Sequence, residues 1–257
     1  MTSTKRKYSI NKYIQFISKK YQSIEQYFTN GSFGVKFYPL LMSPFVRVTN
    51  KLLVRMLAFL AVFIGIDYFA AELITIVFSN VGFLAYYDHT ILELLLPIGS
   101  IVDSQTSQLS PLSFVMKATF MVHGSLFLFI YLIAVNQMIK GFRLIGSMAA
   151  IFFSLGMILI YSAQGGHYTE GGLQNLGVSI TFLLGNIMMI VTGIGIDKPF
   201  LRKFKLFSLI AGGIGIIAIG ITMFGFTNYL AIFERISFYL VVIWDVALGF
   251  AILRYVR

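Results

Sequence analysis

Asp67 and Asp245 stand inside long apolar runs, and an aspartate in such a place is the first sign of chemistry in this chain. On membrane-insertion scales a charged side chain at the centre of a spanning helix costs about 2.5–3.5 kcal/mol, so neither is expected to face lipid. Asn186 lies at similar depth in another apolar run. A layer of this kind can hold a proton or a cation, or form the floor of a polar pocket. Its bland alternative is a protonated, hydrogen-bonded packing layer.

A second group of polar residues falls nearer the ends of the apolar runs. The stretch YSAQGGHYTEGGLQNLGVSITFLLGN, residues 161–186, brackets His167 and Glu170 with glycines that let the backbone turn tightly. Beyond that loop, Asn175, Ser179 and Asn186 fall at i, i+4 and i+11, one face of a helix. Glu234 and Arg235 open the last apolar run, and Glu234 shares a helical face with Asp245. Lys117 and His123 lie in the run that follows Pro111. A guanidinium grips a carboxylate or phosphate with two prongs, which lysine cannot do, so Arg235 is the natural anchor of a binding pocket built from these groups. The alternative is an interfacial pair in which Glu234 suits a helix N-terminus and Arg235 reaches towards headgroups.

His89 and Glu93 are spaced i, i+4, and His167 and Glu170 three apart, the spacings a zinc ion would need from His89, Glu93 and His167. No HExxH motif accompanies them, and the expectation is hydrogen-bonding histidines with no metal and no cofactor. The serines and threonines form no nucleophile elbow. The glycines form neither a phosphate loop nor a dinucleotide fingerprint.

The elements that carry these residues follow from composition. The chain is 58% hydrophobic and 12% charged, with a mean hydropathy of +0.83, which excludes a soluble globular protein. Its apolar runs reach the roughly 20 residues a helix needs to cross hydrocarbon. The expected fold is all-α, a polytopic bundle of six spanning helices near 53–78, 113–137, 143–163, 174–196, 206–227 and 235–254. Cysteine is absent, so disulfides and thiolate chemistry are excluded.

The formal net charge of +10 reads as topology and not as a nucleic-acid footprint. Half of the 20 Lys and Arg residues lie at or before Arg55, and others cluster at 140–143, 198–205 and 254–257. Lys117 and Arg235 alone remain for the opposite side, which holds Asp88, Glu93, Asp103, Glu170 and Glu234. That asymmetry predicts a cell-membrane protein with both termini cytoplasmic. The first external connection contains ILELLLPIG and is expected to fold back on the bundle as a short helix.

Residues 1–51 form a separate basic segment ahead of the 52–257 membrane domain. Ile10, Ile14, Ile17, Tyr21, Ile24 and Phe28 repeat at helical spacing among lysines, which predicts an amphipathic helix lying on anionic lipid. In the fifth span Ser208 with Gly212, and Ala211 with Gly215, form small-xxx-small pairs for close helix packing.

Glu234-Arg235-Ile236 followed by Tyr239 and Trp244, together with Gly166-His167 and Gly185-Asn186, resembles the bacterial and archaeal membrane family called domain of unknown function 998. The resemblance covers roughly residues 55–257 and implies six helices and no particular reaction. One departure is Ala231, where the family usually has glycine. The expected role is non-enzymatic: an outward-facing polar cleft that binds a lipid, small molecule or partner membrane protein for sensing, protection or accessory work. Two alternatives stand beside it. One is an intramembrane enzyme acting on lipid or lipid-linked substrate through His89, His167 and Glu234. The other is a small proton-coupled transporter using Asp67 and Asp245.

Overall fold

The computed structural model describes residues 19–20, 23, 44–96, 101–102, 105–106, 110–162, 173–225 and 230–256. Most of the basic N-terminal segment, and the loop bearing His167 and Glu170, lie outside the described residues. Six helices are long and apolar enough to cross a membrane, and they make the protein an all-α, multi-pass bundle. These spans, first to sixth, are Pro44–Val77, Ser113–Met138, Arg143–Tyr161, Leu173–Gly195, Pro199–Phe224 and Leu230–Val256. A two-residue antiparallel ladder, Ile101–Val102 against Gln105–Thr106, is the strand content among the described residues.

Several helices begin earlier than hydropathy suggested. The first starts at Pro44, ahead of residue 53, because proline suits a helix's first turn and the exposed Arg47, Lys51 and Arg55 need no apolar cover. The fifth enters through a tight turn, Pro199–Leu201, and the sixth starts at Leu230 in place of 235. Hydropathy registers the lipid-facing length of a helix and misses turns that project beyond it.

Small residues set the interhelical spacing, as the fifth span's sequence suggested. A methyl group on Gly212 would come within 2.8 Å of the Asn186 carbonyl, and one on Gly215 would overlap the Asn186 side-chain oxygen. Third and fourth spans meet at Gly156 and Gly177, where a methyl group on either would lie under 3 Å from the other's carbonyl (2.9 and 2.8 Å). The second span contains a π-helical stretch, Ile130–Val135, before it ends at Asn136–Met138.

One end of the bundle is basic. There Ile139 pairs with Ile196, the Lys140 amide donates to the Gly195 carbonyl, and Lys140 Nζ reaches Asp197 Oδ2 at 2.9 Å. Hydrogen bonding and charge from Lys140 hold the exposed Asp197 carboxyl below its ordinary value. The Tyr255 hydroxyl donates to the Gln137 carbonyl and ties the sixth span to the second.

Gly215 and Gly213 make a paired test of the packing. Gly215→Ala is expected to cost about 1–3 kcal/mol by overpacking against Asn186. Gly213→Ala, whose methyl group meets nothing within 4 Å, is expected to be neutral. Thermal unfolding of the two variants in detergent checks this, and equal midpoints would contradict the packing account.

Candidate functional site

At the opposite end the described residues that follow the first span, 82–96, fold over the helices as a cap. Its centre is Ile91–Leu94, a single turn started by Thr90, whose hydroxyl accepts from the Glu93 amide while Glu93 reaches back to the Thr90 amide. Leu92, Leu94, Leu95 and Leu96 are buried, so ILELLL does fold back on the bundle as its apolar content suggested. Ser110 Oγ, ahead of the second span, donates to the Thr75 carbonyl of the first at 2.8 Å.

Arg235 and Glu234 fasten this cap to the sixth span. Glu234 Oε1 accepts from the Ile91 amide at 3.2 Å. Arg235 Nη1 donates to the carbonyls of His89 at 2.6 Å and Tyr86 at 3.2 Å, and its guanidinium carbon sits 5.3 Å from the centre of the Tyr86 ring. Arg235 Nε pairs with Glu72 Oε1 at 3.0 Å, and the Tyr239 hydroxyl donates to Glu72 Oε2 at 2.7 Å. Burial, reinforced by the Glu72 charge and opposed by Arg235, pushes the Tyr86 phenol above its ordinary value.

This arrangement differs from an open, ligand-gripping rim. Glu234 is 4% exposed and Arg235 3%, and the groups they hold belong to the protein itself. The physical reason is the apolar cap: once it covers the helix end, a guanidinium there needs a carboxylate and carbonyls to replace water. Glu72 is the partner that sequence reading passed over. Its signal was present, a second acid after Asp67 in the same apolar run and one turn beyond Tyr68, just as Tyr239 lies one turn beyond Arg235.

Beneath the cap runs a buried polar seam. His123 on the second span brings Nε2 to 2.9 Å from Asp245 Oδ2 on the sixth, with the two side chains 1% and 0% exposed. That separation is an ion-pair contact of hydrogen-bonding length, while Nδ1 of the ring and Oδ1 of the carboxylate are buried with no partner among the described residues. Phe127, Phe153 and Phe238 stand around the imidazole with ring centroids 6.1–6.3 Å away. Tyr68, fully buried against Phe120 and Phe238, also has an unpartnered hydroxyl.

The remaining candidates take more ordinary places. Asp67 is half-buried and accepts from Thr119 Oγ1 at 3.1 Å, one helical turn from His123. Asn186 Nδ2 donates to the Phe182 carbonyl at 2.7 Å and to Ser237 Oγ at 2.8 Å. Trp244 Nε1 donates to Ser208 Oγ at 2.8 Å. Lys117 and Asn175 are half-buried on the second and fourth spans. His89 Nδ1 meets Glu93 Oε2 at 2.5 Å, but across the cap's turn and not along one helical face, because His89 ends the preceding turn Ala85–Asp88. Among the described residues no group of three or more His, Asp or Glu side chains is placed to hold a metal ion.

The clamp predicts a structural defect on substitution. Lysine cannot reach Glu72, Tyr86 and His89 together, so Arg235→Lys should release the cap, raising amide exchange across residues 82–96. Glu72→Gln leaves a buried cation unpaired, a change that typically costs about 3–5 kcal/mol. Hydrogen-exchange mass spectrometry checks both, and unchanged protection in the cap would contradict the clamp.

Comparison with protein-family models, curated proteins and solved structures finds no match to this chain.

Proposed function

We propose that this protein is a proton-responsive, non-enzymatic sensor or accessory protein of a prokaryotic cytoplasmic membrane, with His123 and Asp245 as its responsive element. The observation that supports this reading is the pair itself: two ionisable side chains in contact, deep in an apolar bundle, with their other polar atoms unpartnered among the described residues. Ionisable groups inside spanning helices are expensive to keep and mark functional positions. Aromatic walls on three sides favour a proton as the ligand, since it needs no room.

The response follows from charge. With one proton between them the two groups are neutral overall, as an ion pair or as acid and imidazole. A second proton creates a net positive charge where no water screens it, and the packed state loses stability relative to a hydrated one. On the first span, Asp67 bonds to Thr119 one turn from His123, and Tyr68 packs on Phe238, which also packs on His123; the fourth span contributes the non-titrating Asn186. Acidification therefore loosens the contact between the second and sixth spans.

A second reading, a proton relay in a small transporter, is favoured by one feature. Asp67, Thr119, His123 and Asp245 follow one another across the first, second and sixth spans, with contacts of 3.1 Å and 2.9 Å at the two ends of the series. The resemblance to the domain of unknown function 998 family fits either reading. Of the residues behind that resemblance, Gly185, Asn186, Glu234, Arg235, Tyr239 and Trp244 sit at tight contacts in the bundle, Ile236 is exposed, and Gly166 and His167 lie outside the described residues.

Two experiments test this reading. Trp244, the sole tryptophan, packs against Phe127, whose ring in turn packs against His123, so its emission reports water entering the seam. Acid titration of the full chain in nanodiscs should red-shift the emission, and His123→Gln, which cannot take the second proton, should abolish the transition. An identical titration in the variant would refute the proton-responsive reading, and dye-detected proton flux lost on Asp245→Asn would favour the relay. For orientation, both termini are assigned to the cytoplasm from the charge asymmetry. Reporter fusions after residue 168 should then read external and those after 203 cytoplasmic, and a cytoplasmic signal at 168 would reverse the assignment.

A further inference from the structure

The basic end of the bundle carries a second site, independent of the seam. The fifth and sixth spans leave between them a groove of 640 Å³, within the range of about 300–1,000 Å³ typical of ligand sites. Phe200, Phe204, Phe207 and Phe250 are among the residues that line its apolar length, and Lys203 and Arg254 are its charged ones. Phe200 and Phe250 are 52% and 59% exposed, which in a membrane protein means turned towards lipid.

The charges of the groove distinguish it from ordinary lipid-facing surface. Lys203 and Arg254 are exposed, and among the described residues neither forms an ion pair. Two of their basic neighbours are engaged within the protein: Lys140 holds Asp197, and Lys205 Nζ donates to the Ile196 carbonyl at 2.9 Å. Two cations from two helices therefore flank one apolar trough, close to where helix ends meet the headgroup region. A guanidinium takes two oxygens of a phosphate at once, and an ammonium adds a point charge.

We propose that this groove binds an anionic glycerophospholipid, its phosphate between Lys203 and Arg254 and one acyl chain along Phe200, Phe207 and Phe250. Charge complementarity selects this occupant: a zwitterionic lipid brings its own cation to the pair, and a basic protein segment is repelled. Occupancy ties the fifth span to the sixth from the membrane side, where the groove otherwise separates them.

The test uses the same tryptophan. Trp244 stacks on Phe204, a residue of the groove wall, with ring centroids 5.7 Å apart. Full-length protein in mixed micelles is titrated with phosphatidylglycerol or phosphatidylcholine carrying dibrominated acyl chains, and quenching of Trp244 is followed. The wild type should show half-maximal quenching at a lower mole fraction of phosphatidylglycerol, by roughly fivefold per cation engaged. Lys203→Gln with Arg254→Gln should equalise the two lipids, and Lys203→Glu with Arg254→Glu should reverse the order. Arg55→Gln, an exposed cation outside the groove, should leave the preference intact. Equal quenching by both lipids in the wild type overturns the proposal. So does a preference that survives the double substitution, or one lost equally with Arg55→Gln, since surface charge alone would then account for it. Thermal midpoints in pure detergent, expected to match across these surface variants, separate lost binding from lost fold.

Discussion

A guanidinium buried beneath an apolar cap must find its hydrogen bonds in the protein, and the capped end of this bundle is arranged around that demand. Arg235 meets it through Nε with Glu72 on the first span and through Nη1 with two carbonyls of the 82–96 connection, leaving Nη2 alone unpartnered among the described residues. Because the donor forks in fixed directions, it sets the distance between first and sixth spans and the path of the loop together. Glu234 adds a carboxylate for the first free amide of the cap's own helical turn. Tyr239 takes the second oxygen of Glu72, so that both carboxylate oxygens are engaged.

The cap gives the seam below it its electrical character. Interactions between charges strengthen as water is excluded, and so does the cost of leaving one unbalanced. Ten residues separate Arg235 from Asp245, about 15 Å along a helix, so the two sites lie on one rigid element at different depths. Around Arg235 the donors and acceptors are nearly matched. Around Asp245 they are not, and that contrast between neighbouring polar sites is why the clamp is read as structure and the pair as function.

Much of the fold was legible in the sequence because its signals are large and local. A run of apolar residues announces a span without knowledge of its neighbours, and the small-residue pairs of the fifth span announced a close contact that Gly212 and Gly215 make. The leucine-rich connection announced its own burial. The site was legible only in part. Asp245 and Asn186 stood out by depth, and both are fully buried. Their partners, His123 and Ser237, depend on helix rotation, which a single sequence does not encode. Glu234 and Arg235 were recognisable as special, yet their burial is decided by a loop more than 130 residues earlier in the chain, since Ile91 and Glu234 are separated by 143.

The π-helical stretch of the second span acts as a spacer of angle. An ordinary helix advances about 100° per residue, so one inserted residue turns everything beyond it by that amount. Before the stretch, His123 faces the sixth span; within it, Tyr131 turns to the fourth and meets Thr192 Oγ1 at 2.9 Å; after it, Asn136 reaches Ser147 of the third. Polar contacts of one helix thereby reach the sixth, fourth and third spans, and the third is also met before the stretch, where Gly124 lies against Met157. The wide turn stores the phase difference between the two halves of the bundle, and its removal would leave each half well formed and the two out of step.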